Sequence, residues 1–368
     1  MIREQHGNLL AAEVDALVNT VNTVGVMGKG IALQFKRAFP ANFRAYKRAC
    51  DEGQLELGRM FVWDAGEFSG AQPRYIINFP TKAHWRSRSK ISDIHAGLED
   101  LVRVVRDYNI QSIALPPLGC GHGGLAWSDV KPVIEAALVE LVDVDVQVFP
   151  PEGAPAPADQ AVRTDRPRMT FGRAVLIGIM NRYLPRAVSI TAVDIQKLMY
   201  FMQEAGEPLK LRHEKGRYGP YADNLRHVLA GMEGHYIRGA GDGSANALDE
   251  MPFELLPGAL DEADARLAPL PDTRGRFDRV TDLIAGFEST YGLELLATVH
   301  WAATRDDQGA RQSSAADPGD IYETVSSWND RKGKLFTVRH VDIAIGQLRD
   351  RGWFDQPGDD RLFSTEEP

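Results

Sequence analysis

Short apolar runs and amphipathic periods alternate along the first part of the chain. Continuous apolar runs are typical of buried strands, and apolar residues at every third or fourth position are typical of helices. The runs predict strands at Val14–Thr20, Met60–Trp63, Tyr75–Phe79, Ile113–Leu118 and Val144–Phe149. The helical periods cover Ile31–Ala49, a segment starting at Ser92 that Ser92 or Asp93 caps, and Ser128–Leu141 with Ser128 as cap. This alternation predicts an α/β fold, with a mixed or parallel sheet and helices on both faces.

The pattern becomes mainly helical in the second half. Thr191 and Asp194 are spaced like a capping box, and the apolar stripe that follows ends at Gly206. Further helices are predicted after a turn at Tyr218–Tyr221, over Leu293–Ala302 and over Val341–Arg351. Residues 239–276 are rich in Gly, Pro, Asp and Ala, and predict a long loop.

Repeated prolines separate the two patterns. A chain of 368 residues suggests two domains, and prolines disfavour both helix and central strand. We therefore predict an α/β domain over residues 1–150, a semi-rigid linker over 151–168 and a mainly helical domain over 169–368.

Two glycine-rich turns carry the candidate chemistry. Gly25–Ile31 includes Gly28, Lys29 and Gly30, and Gly119–Gly124 follows the predicted strand that ends at Leu118. Each turn lies between a predicted strand and a predicted helix, where backbone amides and a helix N-terminus bind phosphate. Glycine is also common in tight turns that bind no ligand. Two such turns together nevertheless favour a ligand with two phosphates.

Two common nucleotide-binding motifs fit poorly. The first turn has two residues between Gly25 and Gly28, and Ile31 stands where a P-loop has Ser or Thr. The second turn matches the Rossmann pattern G-x-G-x-x-G, but no acidic residue ends a following strand to bind a ribose. A P-loop is therefore excluded, and a Rossmann site is weakly supported.

Composition and charge limit the environment and the partners. The net charge of −9 argues against a general nucleic-acid coat, although basic residues cluster around Lys82–Lys90 and acidic residues around Asp249–Asp264. Cys50 and Cys120 offer no disulfide framework, and no apolar run is long enough to span a bilayer. We expect a soluble cytoplasmic protein without membrane contact, and His and Cys spacing indicates no metal site or cofactor.

Several motifs in combination resemble the macrodomain, an ADP-ribose-binding α/β fold. They are Gly7–Leu9, Val14–Asn22, Gly28–Ala32 and Pro116–Gly121, so the resemblance covers residues 1–150. Asn78–Lys82 is similar to the segment that carries the lysine of glycohydrolases that remove terminal ADP-ribose. The macrodomain followed by Gln196–Phe201 and Tyr218–Tyr221 resembles the DarG family of antitoxins.

The resemblance implies a function and a partner. DarG antitoxins remove ADP-ribose from DNA that their partner toxin, DarT, has modified. It implies that this chain hydrolyses the N-glycosidic bond between ADP-ribose and thymine in single-stranded DNA, releasing ADP-ribose. The second domain is expected to bind the toxin. A non-catalytic ADP-ribose reader and an antitoxin that acts only by binding the toxin are the alternatives, and a lysine at the ribose distinguishes the enzyme from the reader.

The resemblance also implies a set of ligand-binding residues. Asn8 stands where many macrodomains have an aspartate for adenine, and Asn22 is expected either to bind the distal ribose or to form an Asx turn. Asn19 is expected with Asn22 at the carboxyl end of its strand. The remaining predicted substrate-binding residues are Leu9, Gly28, Lys29, Gly30, Ile31, Thr81, Trp85, Leu118, Gly119, Cys120, Gly121 and Gly123.

Lys82 and His122 are the predicted catalytic residues. Lys82 would donate a proton to the departing base or, if its pKa were lowered, attack C1 of the ribose. Related lysine-dependent glycohydrolases carry an aspartate where this chain has Gly123, so the carboxylate that would resolve a covalent intermediate is missing. His122 is a candidate substitute acid or base, or a loop side chain without a catalytic role.

Overall fold

A computed structural model describes residues 1–66, 73–244, 251–306, 309–312 and 315–354. It divides the chain into two compact units. The first consists of Met1–Asp165 together with Gly241–Ala245, and the second of Arg166–Ala240 with Asn246–Pro368. The first unit therefore includes a short segment that comes from much later in the chain.

A mixed six-stranded sheet forms the centre of the first unit. Its strands are β1 (Ile2–Glu4), β2 (Ala16–Asn22), β3 (Phe61–Asp64), β4 (Tyr75–Lys82), β5 (Ser112–Leu115) and β6 (Asp145–Val148). Their order is β1-β6-β5-β2-β4-β3, and only β3 runs antiparallel to its neighbour. The predicted mixed sheet is confirmed.

Helices cover both faces of this sheet. They are α1 (Gly30–Ala38), α2 (Pro40–Asp51), α3 (Ile91–Asp107) and α4 (Trp127–Leu138). Because side chains alternate along a strand, Ala16 and Val18 of β2 join the core beneath α3 and α4, whereas Leu17 joins Phe35 of α1 on the opposite face. The α/β prediction is thereby confirmed.

Local details of these helices differ from the predictions. The single helix expected over Ile31–Ala49 is two helices, because Pro40 has no backbone N–H and begins α2. The predicted caps are also wrong: Lys90 precedes α3 and Ala126 precedes α4, and neither caps its helix with a side chain. Ser92, Asp93 and Ser128 instead lie within the first turns.

The second unit is mainly helical, as predicted. Its helices are α5 (Phe171–Tyr183), α6 (Ala192–Glu204), α7 (Asp223–Met232), α8 (Ala259–Leu267), α9 (Pro271–Leu283), α10 (Thr290–Thr304), α11 (Pro318–Ser326), α12 (Asp330–Leu335) and α13 (Val338–Asp350). Two small hairpins pair β7 (His213–Gly216) with β8 (Gly219–Ala222), and β9 (Ile237–Arg238) with β10 (Glu254–Leu255). None of the described helices is long and apolar enough to cross a membrane.

Two predictions for this unit are wrong and one is confirmed. The capping box is present, since the Asp194 carboxylate accepts from Thr191 N at 2.8 Å and the Thr191 hydroxyl accepts from Asp194 N at 3.4 Å. Residues 239–276, of which 245–250 lie outside the described ranges, are not one long loop, because α8 lies within them and Pro271 starts α9 at a position where proline is tolerated. The expected turn at Tyr218–Tyr221 is largely strand, since Gly219 already belongs to β8.

A buried ion cluster holds α10 and α12 together. Glu294 on α10 is 1% exposed and accepts hydrogen bonds from Arg331 at 2.6 and 3.0 Å and from Lys332 at 2.5 Å. Lys332 also donates to the Thr298 hydroxyl at 2.9 Å. Although burial alone would raise it, these cations hold the pKa of Glu294 below its usual value. Two cations therefore offset the cost of burying one carboxylate.

Replacing Glu294 with glutamine should strongly destabilise the second unit. The substitution keeps the shape but leaves Lys332 buried without its counter-ion, which costs about 3–5 kcal/mol. Chemical unfolding followed by circular dichroism would measure the loss. Glu323→Gln, at an exposed position on α11, is the control and should change the free energy of unfolding by less than about 0.5 kcal/mol. Equal stability of both variants would contradict a structural role for the cluster.

Candidate active site

The second glycine turn leaves a row of backbone amides without partners. Gly119 and Gly124 have φ values of +71° and +77°, and the turn closes when Leu125 N donates to Gly119 O at 3.1 Å. In the part of the chain that the structure describes, the amides of Gly121, His122 and Gly123 donate to no acceptor. Successive free amides in such a turn form a concave anion site.

Gly123 is enclosed so closely that no side chain fits there. A Cβ atom at this position would lie 2.3 Å from Gly119 O and 2.3 Å from the Ser89 hydroxyl. Ser89 N in turn donates to Gly123 O at 3.0 Å, which fixes the turn against the segment before α3. The packing of this turn therefore leaves no room for an aspartate at position 123.

Lys82 reaches the same turn from the end of β4. Its ammonium donates to His122 O at 3.1 Å and to Trp85 O at 3.2 Å. Burial lowers the pKa of Lys82 below its usual value. An ammonium group has three protons, so two are held by carbonyl groups and the third is available to a ligand.

The first glycine turn lies beside the second. Gly30 begins α1 with a φ of +59°, and a Cβ at this position would lie 3.6 Å from the His122 ring. Lys29 precedes the helix, and its side chain does not cap the first-turn amides of α1, among them that of Ile31. The structure brings both turns and Lys82 together. Gly28 is exposed at the entrance to the first turn.

Asn22 forms the Asx-type loop contact that was one of its two predicted roles. Its side-chain oxygen accepts from Val24 N at 3.1 Å and Val26 N at 3.2 Å, and its amide donates to Val26 O at 2.6 Å. Tyr46 donates to Asn22 O at 2.6 Å from α2. Asn22 therefore shapes the first glycine turn from within.

Asn19 and Thr81 lie inside the protein. Asn19 is in the middle of β2 rather than at its end, has no exposed surface, and donates to Asn78 at 3.0 Å. Asn78 donates in turn to Asn42 at 2.8 Å. The placement predicted for Asn19 is wrong, because the strand continues for three residues beyond it. Thr81 is 4% exposed and donates to Val21 O at 3.4 Å.

Asn8 anchors the proline-rich segment that follows β6. Its side-chain oxygen accepts from Leu10 N at 3.0 Å, and its amide donates to Asp159 O at 2.9 Å. Leu9 beside it is 4% exposed. Adenine recognition by Asn8 remains a prediction, and its amide protons also anchor the proline-rich segment.

The remaining predicted residues differ in accessibility. Trp85 is 44% exposed, with the Arg86 guanidinium 4.5 Å from its ring centroid. Leu118 is fully buried. Cys120 is half-buried, and burial raises the pKa of its thiol to about 11, so it is not a thiolate nucleophile near neutral pH.

Three contributors were missed by sequence reasoning. Ser89 packs against Gly119 and Gly123, Gln34 projects from α1, and Asp242 comes from the segment far along the chain. No local pattern marks them, since their roles depend on long-range contacts. Across the described ranges, no group of three or more His, Cys, Asp or Glu side chains is arranged to hold a metal ion.

Comparison with known proteins identifies similar chains. Residues 18–134 match the Macro domain family. A "DNA ADP-ribosyl glycohydrolase" of Thermus aquaticus is 46% identical over 363 residues, covering 97% of each chain. One of Mycobacterium tuberculosis is 44% identical, covering 95% of this chain and 99% of its own. A "DNA ADP-ribosyl transferase-DNA ADP-ribosyl glycohydrolase fusion protein" of Thermosipho africanus is 35% identical over 158 residues, covering 39% of this chain and 40% of its own.

Two alanine substitutions in the same turn should have unequal effects. Gly123→Ala would force its Cβ against Gly119 O, and overpacking of this kind costs about 1–3 kcal/mol. A Cβ at Gly121 meets no atom within 4 Å, so Gly121→Ala is the matched control. Differential scanning fluorimetry should show a lower melting temperature for Gly123→Ala only. Equal melting temperatures would mean that the turn relaxes and that Gly123 is not sterically required.

Proposed function

The chain belongs to the family of DNA ADP-ribosyl glycohydrolases, and from this premise we propose that it releases ADP-ribose from thymine bases of single-stranded DNA. The observation that carries the proposal is the ammonium of Lys82, bound to the carbonyls of Trp85 and His122 at the edge of the second glycine turn. The free amides of that turn bind the diphosphate, and the ribose then extends towards Lys82.

Lys82 acts as a proton donor. Hydrolysis breaks the bond between C1 of the distal ribose and a thymine ring nitrogen, and the electron pair leaves with the base. The two carbonyl acceptors favour the charged ammonium, whose third proton passes to the departing base. Water adds to the oxocarbenium-like C1 and loses a proton, which restores the ammonium. The products are ADP-ribose and unmodified thymine.

His122 is placed to assist the water. Its ring faces Gly30, and the position of a Cβ on Gly30 would be 3.8 Å from His122 Nε2. One ring nitrogen of a neutral imidazole is free to accept a proton from water. A carboxylate at position 123 is sterically excluded, so His122 is the ionisable side chain of this turn that can take that role.

The exposed segment after Lys82 contacts the DNA. Trp85 offers an aromatic face for a base, and Arg86, Arg88 and Lys90 are exposed cations for neighbouring phosphates. This arrangement suits a single strand, because its bases are free to stack on an aromatic side chain. Trp85 also holds Lys82 through its backbone carbonyl, so DNA binding and proton donation use one short segment.

The dependence of turnover on pH tests the role of Lys82. If the ammonium donates a proton, release of ADP-ribose from an ADP-ribosylated oligonucleotide should fall as pH rises through the lowered pKa of Lys82. Lys82→Arg should be strongly impaired at every pH, since a guanidinium does not release its proton. The control is Lys131→Arg, which retains a cation beside Glu4 and should keep the native profile. A rate that rises through this pH range would instead identify Lys82 as a nucleophile.

A toxin partner completes the function. We propose that the chain neutralises a DarT-like DNA ADP-ribosyltransferase, which the second unit binds. The fusion of both activities in the Thermosipho africanus relative supports such a pairing. On α8, Glu262 pairs with Arg166, and Glu254 on β10 pairs with Arg238. Asp261 and Asp264 are exposed on α8 and are candidates to imitate DNA phosphates, whereas Asp249 and Glu250 lie outside the described residues.

Neutralising two aspartates of α8 should weaken toxin binding. The full-length Asp261→Asn/Asp264→Asn variant is expected to bind the toxin at least about tenfold more weakly in low salt, because both charges face solvent. Asp342→Asn on α13 is an exposed control of the same chemistry and should bind normally. Biolayer interferometry at two salt concentrations measures the difference. Equal affinity of all three proteins would reject phosphate imitation by α8.

A further inference from the structure

A four-residue turn from late in the chain lies against the start of α1. Residues 241–244 contain Gly241 and Gly243 with φ values of +50° and +69°, which allow the chain to reverse tightly. The Asp242 carbonyl accepts from Gly30 N at 3.0 Å, and the Gly241 carbonyl accepts from Arg37 at 2.6 Å. This turn satisfies one of the amides that a helix N-terminus leaves without an intrahelical partner.

The side chain of Asp242 is buried and fully engaged. It is 3% exposed, and its Oδ2 accepts from the Gln34 amide at 2.6 Å. Its Oδ1 accepts from Ser244 N at 3.0 Å and from the Ser244 hydroxyl. Gln34 is itself 4% exposed. A buried carboxylate is retained only where hydrogen bonds offset its desolvation, so this geometry is tightly constrained.

A short series of contacts connects Asp242 to the active site. The side chain of Asp242 orders residues 241–244, whose Asp242 backbone carbonyl accepts from Gly30 N. Gly30 in turn lies against the His122 ring, and the His122 carbonyl accepts from the ammonium of Lys82. Lys29 is also beside the turn, since a Cβ on Gly243 would be 3.8 Å from its side chain. The glycine turn at residues 28–30 would otherwise have wide conformational freedom.

We propose that Asp242 is a positioning residue that fixes the first glycine turn in its ligand-binding conformation. The inference rests on the proposed binding of ADP-ribose between the two turns. A preordered turn loses less conformational entropy when the ligand binds, so affinity depends on this contact even though Asp242 has no role in proton transfer. The residue is supplied by a sequence position about two hundred residues from the turn it orders.

Removal of the carboxylate should affect binding more than chemistry. Asp242→Ala leaves the Gln34 amide buried without an acceptor and loosens residues 241–244, whose backbone carbonyl holds Gly30 N. We therefore expect about a tenfold rise in the ADP-ribose Kd and in KM. The kcat should change less than about twofold, because Lys82 and its carbonyl partners are untouched. Isothermal titration calorimetry and ADP-ribose release measure the two effects.

Exchanging the hydrogen-bonding roles of positions 34 and 242 should restore ADP-ribose binding. Gln34→Glu alone places two carboxylates at hydrogen-bonding distance and should weaken ADP-ribose binding as Asp242→Ala does. In Gln34→Glu/Asp242→Asn, the asparagine amide donates to the new glutamate while its oxygen still accepts from Ser244. The double variant should therefore regain most of the native affinity. A loss due only to general destabilisation would not be reversed by a second substitution at this buried contact.

The outcomes separate this inference from the proposed function. Asp143→Asn, at an exposed position before β6, should match the native protein. If the native protein binds ADP-ribose and folded Asp242→Ala binds it equally well, Asp242 is not a positioning residue. Tighter binding by Asp242→Ala would also overturn the inference, because the turn would then compete with the ligand for Gly30 N. Failure of the native protein to bind ADP-ribose would instead reject the proposed function.

Discussion

The hydrogen bond from Lys82 to the carbonyl of His122 is the interaction on which the site depends. It joins the end of β4 to the second glycine turn and keeps an ammonium beside a row of free backbone amides. The contact needs a turn of fixed shape, and Gly123 permits it because a Cβ at this position would lie 2.3 Å from Gly119 O and from Ser89 Oγ. The same packing that shapes the proposed anion site excludes a carboxylate at position 123. Steric constraint and chemistry are therefore linked in one loop.

Sequence patterns predicted the architecture because they reflect local physics. Alternating apolar runs and helical periods predicted a mixed or parallel sheet with helices on both faces and a helical second unit, and the structure shows the mixed sheet. Local breaks were harder to predict: Pro40 divides a continuous apolar period into α1 and α2, and Pro271 begins a helix in a segment that composition alone described as a loop. Glycine, proline and aspartate are common at helix ends as well as in loops, so composition does not distinguish the two.

The site was predictable where a local sequence motif marks its residues. The glycine turns and Lys82 were identified from spacing and resemblance, and the structure brings them together. The predicted position of Asn19 at the end of β2 was wrong because the sequence pattern leaves the end of a strand uncertain by a few residues. The end of the strand decides whether a side chain lies at the edge of the sheet where the ligand is expected to bind. Gln34 and Asp242 were missed because a contact between positions 208 residues apart leaves no local signal. The role proposed for these two residues depends on tertiary pairing rather than on composition.

The central claim is that Lys82 is required for turnover but not for binding of ADP-ribose. The most direct test compares the native protein with Lys82→Ala on a single-stranded oligonucleotide that carries ADP-ribosylated thymine, together with calorimetric binding of free ADP-ribose. We expect loss of ADP-ribose release with binding retained, because we propose that the backbone amides, and not the lysine, hold the diphosphate. Equal release by both proteins would contradict it and would transfer the chemistry to His122 or to bound water.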